Sequence, residues 1–213
     1  HLLFDVNHSA DSFAALHAYG IEIEQQGRAL PFGDQVFWAY VDSARTLGFT
    51  MELTNRREFP KPLPPTKPIG GNYANLLGVS IAVNNLDQAM QNWSHILGWQ
   101  PEGQPYRIYG EQYLGRESNA LSGAASYRLP NLQVELVRPA CGMSCARDYL
   151  AAHGEGIYCL TIALENRDGL IALTEAGISI LEQGHTLRLD QLSRWAILDT
   201  RSIFGFYLNV VYP

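Results

Sequence analysis

The sequence is short of cysteine and of positive charge, and it contains no long apolar run. Cys141, Cys145 and Cys159 are its three cysteines in 213 residues. A count this odd and sparse does not make a disulfide framework. It suits thiols in a reducing cytoplasm. The CxxxC spacing of Cys141 and Cys145 is a weak metal signal and reads as two thiols in a loop or helix start. Lys and Arg number 15 against 21 Asp and Glu, for a net charge of -6. Nucleic-acid phosphates demand a basic face, so that class of partner is disfavoured. No apolar run approaches the roughly 20 residues that a membrane-spanning helix needs. No secretory signal is visible, and the chain starts at His1 rather than Met. A cytoplasmic protein is expected.

What is present is a core-forming composition, 46% hydrophobic and 17% charged, laid out as a repeat. Gly20-Ile21 matches Gly177-Ile178, and Gln26-Gly27 matches Gln183-Gly184. Trp38 matches Trp195, Asp42 matches Asp199, and Gly48-Phe49 matches Gly205-Phe206. Every pair keeps one offset (177 − 20 = 157), as do Asp11 and Asp168. Residues 1–55 and about 157–213 are therefore two copies of one unit.

Both copies follow one plan. A short apolar strand (residues 2–6; residues 160–164) runs into small polar residues suited to a helix N-cap. Phe13, Leu16 and His17 mark one face of the helix that follows, and Leu170, Leu173 and Thr174 mark it in the later copy. Gly20 and Gly177 end these helices, and about three strands rich in Val, Ile, Phe, Tyr and Trp complete each unit. A third unit lies between them. Residues 79–83 form its first strand and Asn84-Asn85 its cap. Leu86, Ala89, Met90, Trp93 and Leu97 share a helix face that Gly98 ends. Residues 132–137 form its last strand, closed by Pro139, and residues 144–153 a connecting helix capped by Ser144 and stopped by Gly154. The proline-dense stretch 59–71 reads as a linker in extended geometry. The expected organisation is a single unit over residues 1–58, the linker, and two paired units over 72–213 (72–140 and 155–213).

The segment Gly154-Glu155-Gly156-Ile157-Tyr158-Cys159-Leu160 resembles the Gly-Glu-Gly-hydrophobic-His-His-Ile start of a module in methylmalonyl-CoA epimerase-like proteins. Val79 to Val83 with Leu86-Asp87-Gln88-Ala89, the helix end Ile96-Leu97-Gly98, and Asn131 to Pro139 resemble other parts of such modules. In order and spacing the chain resembles the vicinal-oxygen-chelate superfamily of glyoxalases, bleomycin resistance proteins and extradiol dioxygenases. The resemblance implies an α+β fold of repeated βαβββ modules that pair into cupped mixed sheets. It also implies a divalent metal (Zn, Ni, Co, Mn or Fe) held by residues from the first and last strand of each module.

Carried onto this chain, the resemblance puts metal ligands at His1 and Glu52, and places Glu135 at the same last-strand position of the middle unit. Elsewhere the pattern fails. Gly78 stands at the middle unit's histidine place, Cys159 or Tyr158 at that of the third, and Asn209 opposite Glu52 in the repeat (209 − 52 = 157). A glycine has no ligating side chain, and an amide is a poor substitute for a carboxylate on a hard ion. No metal is therefore expected in the C-terminal pair. His1 and Glu52 would be half of a site, completed by an N-terminal module outside this chain or by a second copy in a homodimer. The general base cannot be placed. Tyr106, Arg107, Tyr109, Tyr113 and Arg116, within residues 101–122, are candidates to recognise an anionic or aromatic ligand. His185 and Arg188 read as loop residues, and Trp38 and Trp195 as sheet core. Three functions follow from the resemblance. One is a metal-dependent isomerase or lyase acting on a small carbonyl or thioester. The second is a metal-free small-molecule binding protein. The third, extradiol dioxygenase, is disfavoured because such enzymes keep iron in the C-terminal pair.

Overall fold

Strand, helix and three further strands recur three times, and each recurrence folds the same way. The structure, a computed structural model, describes residues 1–28, 37–55, 76–130, 132–188 and 191–212. The proline-rich stretch 59–71 lies outside them. The first unit contains β1 (Leu2–Asp5), α1 (Ser9–His17), β2 (Ile23–Arg28), β3 (Phe37–Val41), α2 (Ala44–Leu47) and β4 (Met51–Asn55). The second contains β5 (Leu76–Ala82), α3 (Leu86–Asn92), β6 (Tyr106–Tyr113), β7 (Arg116–Arg128) and β8 (Gln133–Cys141). Helix α4 (Cys145–His153) leads to the third: β9 (Gly156–Ala163), α5 (Asp168–Glu175), β10 (Ile180–Arg188), β11 (Gln191–Leu198), α6 (Arg201–Phe204) and β12 (Tyr207–Tyr212).

Within every unit the first strand lies parallel beside the last, followed by the third and then the second. The repeat reaches down to irregularities. The β2–β3 ladder slips between Ile23 and Glu24-Gln25, and the β10–β11 ladder slips between Ile180 and Glu182. Buried Ser43 accepts from the Met51 N–H and donates to the Phe49 carbonyl at 2.7 Å. Its counterpart Thr200 donates to the Phe206 carbonyl at 2.6 Å. Two caps follow the sequence, Asn85 accepting from the Gln88 N–H and Ser144 from the Arg147 N–H, whereas His8 before α1 and Arg167 before α5 make no side-chain cap bond.

The first unit's β1, β4, β3 and β2 form a four-stranded sheet, whereas the second and third units share one closed eight-stranded barrel. Two antiparallel seams close it, β5 on β9 and β6 on β10. At the second seam Gly184 pairs with Gly110. A Cβ on Gly184 would stand 1.9 Å from the Tyr109 carbonyl oxygen, so the close approach of these strands requires glycine there. The first sheet packs on the second unit through its helix side. Trp93 is fully buried, meets Phe49 and Trp99 edge-on and Tyr127 at a tilt, and donates its indole N–H to the Leu47 carbonyl at 2.9 Å. Asn92 donates to the Thr46 carbonyl, so α3 satisfies carbonyls left open at the end of the short α2.

Two sequence expectations are corrected. Strand β8 does not stop at Pro139 but runs to Cys141, because its ladder with β7 shifts register at Leu121–Ser122, where a missing N–H is tolerated. His185 and Arg188 lie in β10, not in a loop. The polar residues of that strand hid it from a reading based on apolar alternation.

The seam and a neighbouring strand give a paired test. Gly184→Ala should cost about 3 kcal/mol, the upper end of overpacking penalties. Gly123→Ala, whose Cβ would meet only Leu86 Cδ2 at 3.5 Å, should change stability by less than about 1 kcal/mol. Equal urea-unfolding midpoints for the two variants would contradict the seam geometry.

Candidate functional site

The alternation of a β-strand sends every second residue inward, and in the closed barrel those residues line a cavity of about 230 Å³. Ser144 and Ala146, at the start of α4, also line it. Its apolar surface comes from residues such as Ile108, Val137, Ile197 and the indole of Trp195. Glu135 and Glu182 are its two carboxylates.

Strand register fixes which positions correspond among the three units. Leu3 pairs with Glu52, Ser80 with Glu135, and Thr161 with Asn209. Two residues earlier on the first strands stand His1, Gly78 and Cys159. Cys159, not Tyr158, is thus the counterpart of His1. The first strands are offset by one more residue than the rest of the repeat (159 − 1 = 158). Gly78, Glu135, Cys159 and Asn209 all line the one cavity.

These four positions do not fit a divalent metal. A Cβ on Gly78 would lie 2.3 Å from the Gln133 carbonyl oxygen, which leaves no room for a ligating side chain. Burial pushes the Cys159 thiol well up, and the nearby charges of Glu135 and Glu182 raise it further, so it stays protonated rather than becoming a thiolate ligand. Asn209 offers only an amide. It donates to Thr161 Oγ1 at 3.3 Å, and its buried Oδ1 has no hydrogen-bond partner among the described residues. No group of three or more His, Cys, Asp or Glu side chains suited to a metal occurs among the described residues.

Glu135 accepts from Ser80 Oγ at 3.2 Å and from the Tyr106 hydroxyl. Glu182 is a different kind of carboxyl. It is 4% exposed, and its Oε2 accepts the backbone N–H of Cys145, the first residue of α4, at 2.7 Å. Burial pushes its pKa up from 4.5 to about 7, only partly offset by the hydrogen bonds from Cys145. Glu182 is not among the candidates that the sequence points to. The one trace of it in the sequence is the repeat: its partner is Gln25 (182 − 25 = 157), so an acid replaces an amide, on a strand from which Thr186 also lines the cavity. Gly110 leaves space for it, since a Cβ there would stand 3.0 Å from Glu182 Oε1.

The other candidates divide. Trp195 is buried as expected but also lines the cavity, and its indole N–H has no partner among the described residues. Of the five residues proposed within 101–122, Tyr106 lines the cavity. Tyr113 donates to Asp148, Tyr109 stacks on His185 on the outside, and Arg107 and Arg116 are exposed. On the first unit, His1 Nε2 and Glu52 Oε2 are 2.9 Å apart, with the Tyr40 hydroxyl bonded to Glu52 and the Tyr40 ring edge-on to His1. No helix among the described residues is long and apolar enough to cross a membrane.

Comparison with known proteins gives three findings. The sequence model of a family described as Glyoxalase/Bleomycin resistance protein/Dioxygenase superfamily matches residues 79–189. No curated protein matches the chain. Among solved structures, a triple mutant of 4-hydroxymandelate synthase from Streptomyces coelicolor superposes with a TM-score of 0.62 at 13% identity, covering 99% of this chain and 69% of that one. Methylmalonyl-CoA epimerase from Mycobacterium tuberculosis gives 0.48 at 22% identity, covering 65% of this chain and 87% of that one.

The Glu182 environment predicts a pH effect on stability. Its folded pKa lies above the unfolded value, so between pH 4.5 and about 7 the folded protein holds the extra proton. Its contribution to stability is therefore present below that window, falls as pH rises through it, and levels off above. At about 1.4 kcal/mol per pH unit the loss is of order 3 kcal/mol. Glu182→Gln, which keeps an acceptor for the Cys145 N–H, should gain on the wild type as pH rises across this window in thermal melts. A constant difference between the two proteins would contradict the buried carboxyl.

Proposed function

The chain belongs to the glyoxalase/bleomycin resistance protein/dioxygenase superfamily, and on that premise we propose that its barrel receives a small organic molecule and that Glu182 exchanges a proton with it. The observation that carries this reading is a buried carboxyl with a pKa of about 7 on the wall of the barrel cavity. A general base works best when its pKa is near the working pH. Above about 7 the Glu182 carboxylate takes a proton from carbon beside a carbonyl, and the resulting acid returns it. Glu135, fixed by Ser80 and Tyr106, orients the occupant, and the Trp195 N–H is a free donor for an oxygen that gains charge. This is proton-transfer isomerisation without a metal. Extradiol cleavage is the weaker reading, because Gly78, Cys159 and Asn209 do not supply iron ligands.

A second reading rests on the contact between His1 and Glu52. An imidazole and a carboxylate at this separation suit a transition metal. Such an ion would supply Lewis acidity to a carbonyl substrate, and its remaining ligands would come from outside the described residues.

The probe for the first reading is 2-hydroxyacetophenone in D2O, with α-proton exchange followed by NMR. The wild type should exchange it about 100-fold faster than Glu182→Gln, with a rate that rises with pH and levels off above about 7. Equal rates for the two proteins would sink the proton-transfer role. For the second reading, metal bound at His1 and Glu52 should be lost from His1→Ala and Glu52→Ala and kept by Glu135→Ala in elemental analysis. A metal content indifferent to both first-unit variants would remove it.

A further inference from the structure

The charge of the cavity wall is one-sided. Glu135 and Glu182 line it, and no Lys, Arg or His is among its lining residues. The cations of this region are engaged elsewhere: Arg201 pairs with Asp199 at 2.9 Å and lies over the Tyr207 ring, and Arg194 is half exposed beside Glu111. Open acceptors stand on the same wall as the two carboxylates. Asn209 Oδ1 has no partner among the described residues, and Glu182 Oε1 faces the small gap over Gly110. Both carboxylates act on Cys159, which places it within electrostatic reach of each of them. Against these acceptors stand the Trp195 N–H, unpartnered among the described residues, and the wall hydroxyls of Ser122, Thr186 and Ser193, each able to donate or accept.

An anion entering this space would lose its hydration and meet two carboxylates with no countercharge, which costs several kcal/mol in a low-dielectric interior. A cation gains where the anion loses. Resting on the reading of the barrel as a small-molecule site, we propose that its occupant carries a positively charged nitrogen, an amine or amidine, on a small apolar body, with that nitrogen held by Glu135 and Glu182. The apolar body packs on Trp195, Ile197 and Val137, and an N–H of the cation reaches the amide oxygen of Asn209. The volume of about 230 Å³ limits the body to about the size of one aromatic ring with a short side chain. Carboxylates, phosphates and other acidic compounds are excluded from the cavity itself.

The test is calorimetric titration of this protein at about pH 8 with three probes of one shape: benzylamine, benzyl alcohol and benzoate. Benzylamine should bind at least tenfold tighter than benzyl alcohol, and benzoate weakest of all. Glu135→Gln and Glu182→Gln should each weaken benzylamine about tenfold while leaving benzyl alcohol within about twofold, which separates charge pairing from loss of fold. If benzyl alcohol binds as tightly as benzylamine, or benzoate binds tighter than either, the cationic ligand class is overturned and the cavity reading stands. If none of the three binds, both fall.

Discussion

Two seams, β5 on β9 and β6 on β10, hold the barrel shut, and the chemistry of its interior follows from that closure. Either unit alone would leave two strand edges unpaired and one sheet face open to water. Joined, they hide both edges and turn the open faces toward each other. The cavity between them is narrow enough that a carboxyl on its wall loses its hydration. The raised pKa of Glu182 is a direct result of this burial. The seam itself depends on an absent side chain, since Gly184 lets β10 approach β6 where a Cβ would collide with the Tyr109 carbonyl, while Gly110 leaves room beside Ala120 and Glu182. The same small residues make room for the Glu182 side chain beside them.

The three units show one scaffold carrying different chemistry. In the first, His1 and Glu52 stand in contact on a sheet face with no second unit across it among the described residues. In the barrel the matching positions are Gly78 with Glu135 and Cys159 with Asn209. These cannot assemble a metal's donor set, and the cavity instead has a proton-carrying group at Glu182, where the first unit has Gln25. The indole at Trp38 and Trp195 keeps its place over a glycine, Gly27 or Gly184, in both copies. Scaffold residues therefore recur across the repeat while the residues facing the cavity differ.

This division also explains what could be read from the sequence. The unit plan, the α+β class and the helix caps were legible because they rest on local signals: Ser144 and Asn85 as caps, Gly20 and Gly177 as helix stops with φ of 74 and 90°. The place of Asn209 was legible because the repeat carried it, and those of Gly78 and Glu135 because the family resemblance carried them. Three features were not. The choice between Cys159 and Tyr158 needed the pairing of β9 with β12, since the extra residue between repeat copies leaves no mark in composition. Strand β10 was obscured by its Glu-Gln-Gly-His-Thr run, which lacks the apolar alternation of a core strand because Glu182 and Thr186 face the cavity rather than a packed core. The repeat marks Glu182 only as an acid in the place of Gln25; its burial is not local, because it comes from α4 and β6.

The account turns on Glu182 being a desolvated carboxyl inside the barrel, so its titration is the decisive measurement. Protein labelled with carboxyl-13C glutamate, with the resonance assigned by its loss in Glu182→Gln, would be followed by NMR across the acid and neutral range. The account predicts a midpoint near 7. A midpoint at the ordinary glutamate value of 4.5 would mean that water reaches the carboxyl, and the proton transfer proposed for the cavity would be contradicted.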